Sequence, residues 1–220
     1  MEKITLIVAG GSGTRMNASV PKQFLLLDGI PVLMHTIRVF HRYDPQMRII
    51  VALPESQQST WKQLCLQYRF TVDHEIRPGG ETRFHTVRNS LEIIPDHCIV
   101  AVHDGVRPLV SLDTIGRCFD MAMELGNAVP CVAIPETMRK ITEKGNKQVD
   151  REQYRLIQTP QVFDSSLLKK AYLQEYRKRF TDDAGVVENL GLTINLVAGN
   201  PENIKLTYEK DLKLAASFLG

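Results

Sequence analysis

Short apolar runs alternate along this chain with stretches in which apolar residues recur at helical spacing. Lys3–Val8 (KITLIV) and Arg48–Leu53 (RIIVAL) are unbroken runs of buried-strand character, the second closed by Pro54. Between them Val32, Leu33, Ile37, Phe40 and Tyr43 fall on one face of a helix over 32–43. Further helices are predicted over about 56–68, around Phe84, Val87, Leu91 and Ile94, and around Ile115, Phe119, Ala122 and Leu125. Strands are predicted near 70–76, over 99–102 and over 128–134. Val/Ile-rich strands without polar alternation are covered on both faces. Their alternation with amphipathic helices predicts an α/β fold built on a mostly parallel, Rossmann-like sheet. Ligands bind such sheets beyond the carboxyl ends of the strands.

The rhythm breaks after Pro135. Glu136–Gln153 is polar, lacks a helical period, and carries Gly145-Asn146 at an expected turn between "MRKIT" and "QVD". It reads as a β-hairpin arm, about 136–156, whose open edges call for cover by a partner subunit. The α/β pattern then resumes with helices near 166–177 and 183–190, a strand over 193–198 and a terminal helix from about 209. One domain over 1–220, with the arm as its appendage, is the expected organisation.

Composition narrows the function classes. With 43% hydrophobic and 24% charged residues the chain is of ordinary globular type, and its net charge of +2 gives no reason to expect nucleic acid or an anionic membrane as a bulk partner. Anions, if bound, are bound locally. Cys65, Cys98, Cys118 and Cys131 form no C-x-x-C pair, which argues against a zinc cluster and for thiols in a reducing compartment. The first apolar run, Ile4–Ala9, is too short for a signal-peptide core, and no run reaches membrane-spanning length. A cytoplasmic protein is expected.

Three stretches fall where the sheet rule looks for chemistry. "AGGSGTRM" (9–16) follows the first strand but has Met16 where a dinucleotide loop needs glycine or alanine, and no Walker A string exists. What remains is a strand followed by small residues whose N–H groups can close around phosphate, flanked by Arg15 and Lys22. The alternative is a tight turn with two surface cations. "PGGETR" (78–83) places Gly79 and Gly80 for close backbone approach to a flat ligand, with Glu81, Arg83 and Thr86 as polar ends; it also reads simply as a cap on the following helix. "HDGVRP" (103–108) offers Asp104 for ribose or magnesium and Arg107 as an anion clamp, or else a buried structural pair of the two. Asp150-Arg151, Thr181-Asp182 and Lys205 have no local motif and default to the surface, as does the basic run 169–179. No H-E-x-x-H or G-x-S-x-G string supports a metallohydrolase or a covalent nucleophile.

Taken in order, "AGGSGTRM", "PKQFLLLDGIPVL", "PGGETR", "VHDGVRP", "ETMRK", "VDREQYRLIQTPQVF", "FTDDA" and "NIKLTYEKDL" give the chain a strong resemblance to the IspD family, over nearly its whole length. That resemblance implies a nucleotidyltransferase sheet of the GT-A type and magnesium-dependent attack of methylerythritol phosphate on the α-phosphorus of CTP. It implies that Ala9, Gly10, Gly11 and Gly13 surround CTP, that Gly80, Glu81 and Thr86 read cytosine, and that Asp104 meets the ribose or the metal. Arg15 and Lys22 would stabilise the transition state. Arg107, Thr137, Arg151, Thr181 and Lys205 would hold the second substrate, in a homodimer whose arms interlock and present Arg151 in trans. Gly105-Val106 departs from the Ala-Ala or Ala-Val common in the family, and Thr86 stands where serine is frequent. Ribitol-5-phosphate cytidylyltransferases share the CTP loop and "TPQ", so the alcohol is the open point; "VDREQ" and "ETMRK" favour the erythritol enzyme. A CTP-binding domain without turnover would be expected to lack Arg15 or Lys22. A glycosyltransferase would carry an Asp-x-Asp motif where this chain has "HDG".

Overall fold

The computed structural model describes residues 1–10 and 20–219. In chain order the elements begin with β1 (Lys3–Val8), β2 (Leu26–Leu27), β3 (Ile30–Pro31), α1 (Val32–Tyr43), β4 (Arg48–Leu53) and α2 (Glu55–Gln67). They continue through β5 (Glu75–Pro78), α3 (Arg83–Leu91), β6 (Ile99–Asp104), α4 (Leu112–Leu125) and β7 (Asn127–Val132). After these come β8 (Arg139–Thr142), β9 (Gly145–Gln148), β10 (Leu156–Ile157) and β11 (Gln161–Asp164). The chain closes with α5 (Ser165–Tyr172), α6 (Asp183–Glu188), β12 (Leu196–Ala198) and α7 (Glu209–Ala216).

The central sheet runs β10-β7-β11-β6-β1-β4-β5, with β12 also on β7. Among the described residues β1, β4, β5 and β6 pair in parallel, as do β7 and β12. Strand β11 enters antiparallel between β6 and β7. Both faces are buried, as the unbroken apolar runs require: Ile49, Val51 and Leu53 of β4 pack beneath α1, α2 and α4 with Ile37, Phe40, Trp61 and Phe119. Ile50 and Ala52, its alternate residues, face α3, α5 and α6 with Phe84, Val87, Tyr172 and Val187.

Local chemistry sets the helix ends. Thr82, Ser111, Asp164 and Asp182 accept N–H bonds at the starts of α3, α4, α5 and α6. Gly126 ends α4 in the left-handed conformation, φ 82°.

Three expectations are corrected and one strand is added. Pairing in the expected 70–76 strand begins only at Glu75, because Phe70 turns inward against Trp61 and Thr71–His74 run free of the sheet. The helix expected to Arg177 stops at Tyr172, where Gln174 folds back to donate to the Ala171 and Val186 carbonyls. The arm forms, but its turn is Glu143-Lys144; Gly145, at φ 123°, starts the returning strand opposite Thr142. Strand β11 was not expected, since QVFD is too short to carry a period.

The close approach of β1 and β6 tests this register. A Cβ on Gly105 would lie 2.8 Å from Ala9 Cβ and 3.3 Å from Leu33 Cδ1. Gly105→Ala is expected to lower unfolding free energy by about 1–3 kcal/mol in urea titration, and Ala9→Gly in the same chain to recover part of it. Unchanged stability in the single variant would show that the strand ends separate freely.

Candidate active site

Strands β1, β4 and β6 end level. Ala9 N–H donates to Ala52 O at 2.9 Å, Gly105 N–H to Val8 O at 2.9 Å, and Gly79 N–H to Leu53 O at 2.8 Å. The Ala9-Gly10, Gly79-Gly80 and Gly105 segments therefore lie side by side at the mouth of one cleft. Gly80 is pressed onto the first turn of α3, where a Cβ would sit 2.6 Å from His85 Cβ. The Thr86 hydroxyl clamps that loop, accepting from Gly80 N–H at 2.9 Å and donating to Thr82 O at 3.0 Å. Thr86 thus shapes the wall with a hydroxyl committed to the loop itself.

The floor of the cleft is a charge cluster. Asp104, the last residue of β6 and 7% exposed, faces three cations: Lys205 Nζ at 2.9 Å, Arg107 Nε at 3.3 Å and Arg83 Nε at 3.6 Å. Burial alone would push its pKa up; Arg83, Lys205 and Arg107 outweigh burial and hold the carboxyl far below the usual range. Arg83 also forms a two-pronged bond to the fully buried Asp183, at 2.8 and 2.7 Å, and Tyr172 O–H donates to the same carboxylate at 2.6 Å. Burial would lower the Arg83 pKa, but Asp183 and Asp104 prevail and raise it. Lys205 is brought over Asp104 because the next residue, buried Leu206, donates its N–H to Val106 O at 3.0 Å. Arg107 is steadied by donating to Asn203 O at 2.7 Å.

Beneath Asp104 runs a chain of bonds with one consistent proton arrangement. Asp104 N–H donates to Thr159 Oγ1 at 3.1 Å, leaving the Thr159 hydroxyl to donate to His103 Nδ1 at 3.0 Å. His103 Nε2–H then donates to Arg107 O at 3.0 Å. Burial drives the His103 pKa down to about 4, so the ring is neutral at pH 7.

The cleft has two lobes that share Arg83, Asp104 and Lys205. One lobe is lined by Ala9, Gly10, Lys22, Gly80, Glu81 and Thr86, residues that the resemblance assigns to CTP and its transition state. The other is lined by Arg107 and Thr181 together with Gln158, Thr159, Gln161 and Asp182. Gly11, Gly13 and Arg15 lie outside the described residues. Thr137 and Arg151 line neither lobe of their own chain; Arg151 is exposed, donates to Pro135 O and pairs with Glu152 at 3.4 Å.

Sequence reasoning gave no role to Asp183, Thr159, His103 or Gln161. Asp183 meets Arg83 across a hundred positions; it stands in the "FTDDA" segment, which carried a signal but did not name its partner. Thr159 and Gln161 stood in the "TPQ" segment, which likewise carried a signal. Gln161 fixes the wall of the second lobe by donating to Asp182 Oδ2 and accepting from Ala184 N–H, both at 2.8 Å.

Among the described residues no group of three or more His, Cys, Asp or Glu side chains is placed to hold a metal ion. The Asp104 oxygens already face cations, so the described residues provide no closed metal cage. All four cysteines are free, and burial pushes the Cys65 and Cys118 thiols up to about 11 and 12, which removes them as nucleophiles. No described helix is long and apolar enough to cross a membrane.

The family model described as 2-C-methyl-D-erythritol 4-phosphate cytidylyltransferase matches residues 4–220. Proteins of that name from Bacteroides fragilis and Phocaeicola vulgatus are 50% and 51% identical to this chain, covering 100% and 98% of both partners in each comparison. The crystal structure of the enzyme of that name from Thermus thermophilus superposes with a TM-score of 0.80 at 31% identity, over 99% of this chain and 98% of that one.

The buried imidazole makes stability depend on pH. With a folded pKa of about 4 against an ordinary 6.5, neutral His103 contributes fully above pH 6.5, and its contribution falls as pH drops from 6.5 toward 4. The loss over that window is expected to be about 3 kcal/mol. Urea titrations at stepped pH should show that slope in the parent chain and lack this share of it in His103→Gln. His35, also lowered by burial, is common to both chains and cancels in the difference.

Proposed function

The chain belongs to the 2-C-methyl-D-erythritol 4-phosphate cytidylyltransferase family, and from that premise we propose that it transfers CMP from CTP to 2-C-methyl-D-erythritol 4-phosphate, releasing pyrophosphate. The observation that carries this reading is the two-lobed cleft, whose lobes meet at Arg83, Asp104 and Lys205. A nucleotide in the glycine-lined lobe and a phosphorylated alcohol in the other would bring two anions together at that shared wall. Such an encounter needs fixed cations and aligned groups, and the reaction needs no bond to the protein.

In this reading a phosphate oxygen of the alcohol phosphate attacks the α-phosphorus in line, and the bond to the pyrophosphate oxygen breaks. Gly10 and Gly80 leave room for the nucleotide, and Glu81 stands at the edge of its lobe. Lys22, with Arg15, stabilises charge that builds on the α-phosphate. Lys205, Arg107 and Thr181 hold the alcohol phosphate, and Asp104 keeps Lys205 and Arg107 aimed. Magnesium, on this reading, would come with the triphosphate and supply charge neutralisation there, and Asp104 is the buried carboxylate of the nucleotide lobe that would face it. The site residues fit an ion carried mainly by substrate oxygens.

The arm supports a homodimer. Its strands β8 and β9 are exposed throughout, Ile141 of β8 included, and further along the chain Tyr154, Leu156 and Ile157 are also apolar and open to solvent. A partner protomer would cover them and could receive Thr137 and Arg151 at its own cleft. Reduced thiols and a near-neutral charge suit a cytoplasmic enzyme of small molecules, without nucleic-acid or membrane partners.

Pyrophosphate release is expected with CTP and methylerythritol phosphate and at background with CTP and ribitol 5-phosphate; the reverse preference would overturn the substrate assignment. Lys22→Ala should lower kcat by about 10²–10³-fold while the KM for CTP changes by less than about threefold. For the arm, replacing residues 139–148 with a short turn should convert a sedimenting dimer to a monomer. A parent chain that already sediments as a monomer would remove the arm's proposed role.

A further inference from the structure

Lys22 is presented by a single turn, Lys22–Phe24, closed by Phe24 N–H donating to Pro21 O at 2.8 Å. The next two side chains anchor that turn in the protein. Phe24 stacks on Trp61 of α2, with ring centroids 5.9 Å apart and planes within 10°. Gln23, 1% exposed, ties the turn to two other elements. Its amide nitrogen donates to the Ala9 carbonyl just beyond β1 at 2.8 Å, and to Gln57 Oε1 in the first turns of α2 at 2.5 Å. A carbonyl can only accept, so Ala9 settles which end of the Gln23 amide is nitrogen.

The other end of that amide is informative. Among the described residues, Gln23 Oε1 is buried without a hydrogen-bond partner. An unsatisfied buried acceptor costs stability, and an apolar residue of similar size would avoid that cost. What the glutamine contributes is geometry: two N–H bonds that set the Lys22 turn against the Ala9-Gly10 strand end and against α2. Lys22 and Ala9-Gly10 line the same lobe, so any slip between them changes where the ammonium meets a bound triphosphate.

We propose that Gln23, held by Gln57, is a positioning residue that fixes Lys22 relative to the glycine-lined strand end. This rests on the transition-state role given to Lys22 above. Gln23 acts through Lys22 and the strand end, and touches no reacting atom.

The test is steady-state kinetics with CTP and methylerythritol phosphate on Gln23→Leu, Gln57→Leu, Gln57→Glu, Lys22→Ala and the double variant Gln23→Leu/Lys22→Ala. Misplacing a catalytic group by about 1 Å can cost on the order of 10²-fold. Gln23→Leu and Gln57→Leu are therefore expected to lower kcat about 10–100-fold, with the KM for CTP within about threefold. Gln57→Glu keeps the acceptor and should recover most of the loss seen in Gln57→Leu. In the Lys22→Ala background Gln23→Leu should cost less than about threefold, because the group it positions is gone. Trp61, the chain's one tryptophan, reports the turn without turnover: its emission should change in Gln23→Leu and stay as in the parent in Lys22→Ala. A KM for CTP raised tenfold with kcat unchanged would make Gln23 a direct nucleotide contact and overturn the proposal. So would equal losses with and without Lys22, or unchanged kcat and emission. If Lys22→Ala alone leaves kcat intact, the role of Lys22 itself fails, and that single measurement identifies it as the point of failure.

Discussion

A carboxylate buried at the end of a central strand can stay ionised only if its surroundings replace the water it has lost. Asp104 meets that condition through Arg83, Arg107 and Lys205, which arrive from α3, from the loop after β6, and from the segment beyond β12. Each cation is held by something else as well: Arg83 by Asp183, Arg107 by the Asn203 carbonyl, Lys205 by the Leu206–Val106 backbone bond. The cluster therefore fastens three remote stretches of chain to one point above the sheet. Removing a buried member such as Asp183 would strand charge on Arg83, a loss of about 3–5 kcal/mol, whereas the partly exposed Lys205 would cost less.

That arrangement also explains how the cations are ready for anionic ligands. Lysines and arginines free in solvent would lose side-chain entropy and reorganise on meeting a phosphate. Here they are already oriented by a protein anion, which is the condition under which electrostatic stabilisation is strongest. The neutral His103 below contributes in the same sense. It links Thr159 to the Arg107 carbonyl by bonds, adding no charge to a cluster whose balance is already set.

Much of the scaffold was legible in sequence because it rests on local rules. The runs KITLIV and RIIVAL could only be strands buried on both faces, and the 32–43 spacing could only be a helix facing one of them. The glycine loops and Asp104 were found because sheet topology says where to look. What stayed hidden is non-local. The bond between Arg83 and Asp183 joins α3 to α6, and nothing near either residue announces the other. Strand β11 is four residues long and antiparallel; its place is decided by the gap between β6 and β7, not by its own period. The Thr86 hydroxyl holds the Gly80 loop, a bond that the motif alone does not announce.

The overall charge was a poor guide to the cleft, and the reason is physical. A net charge of +2 gives no reason to expect a bulk polyanion partner and says nothing about local anion binding. Inside the cleft the cations come with carboxylates placed behind them: Asp183 is fully buried behind Arg83, and Asp104 lies beneath all three cations. The pairing cancels in the sum while the geometry does not. Asp183 is fully buried and Asp104 nearly so where the lobes meet, while Lys22, Arg83, Arg107 and Lys205 line them beside Glu81 and Asp182, so a ligand phosphate meets local cations on a nearly neutral protein. A chain can thus hold a phosphate site without the long-range field that would draw nucleic acid, provided each cation at the surface of the site has its counter-charge buried beneath it.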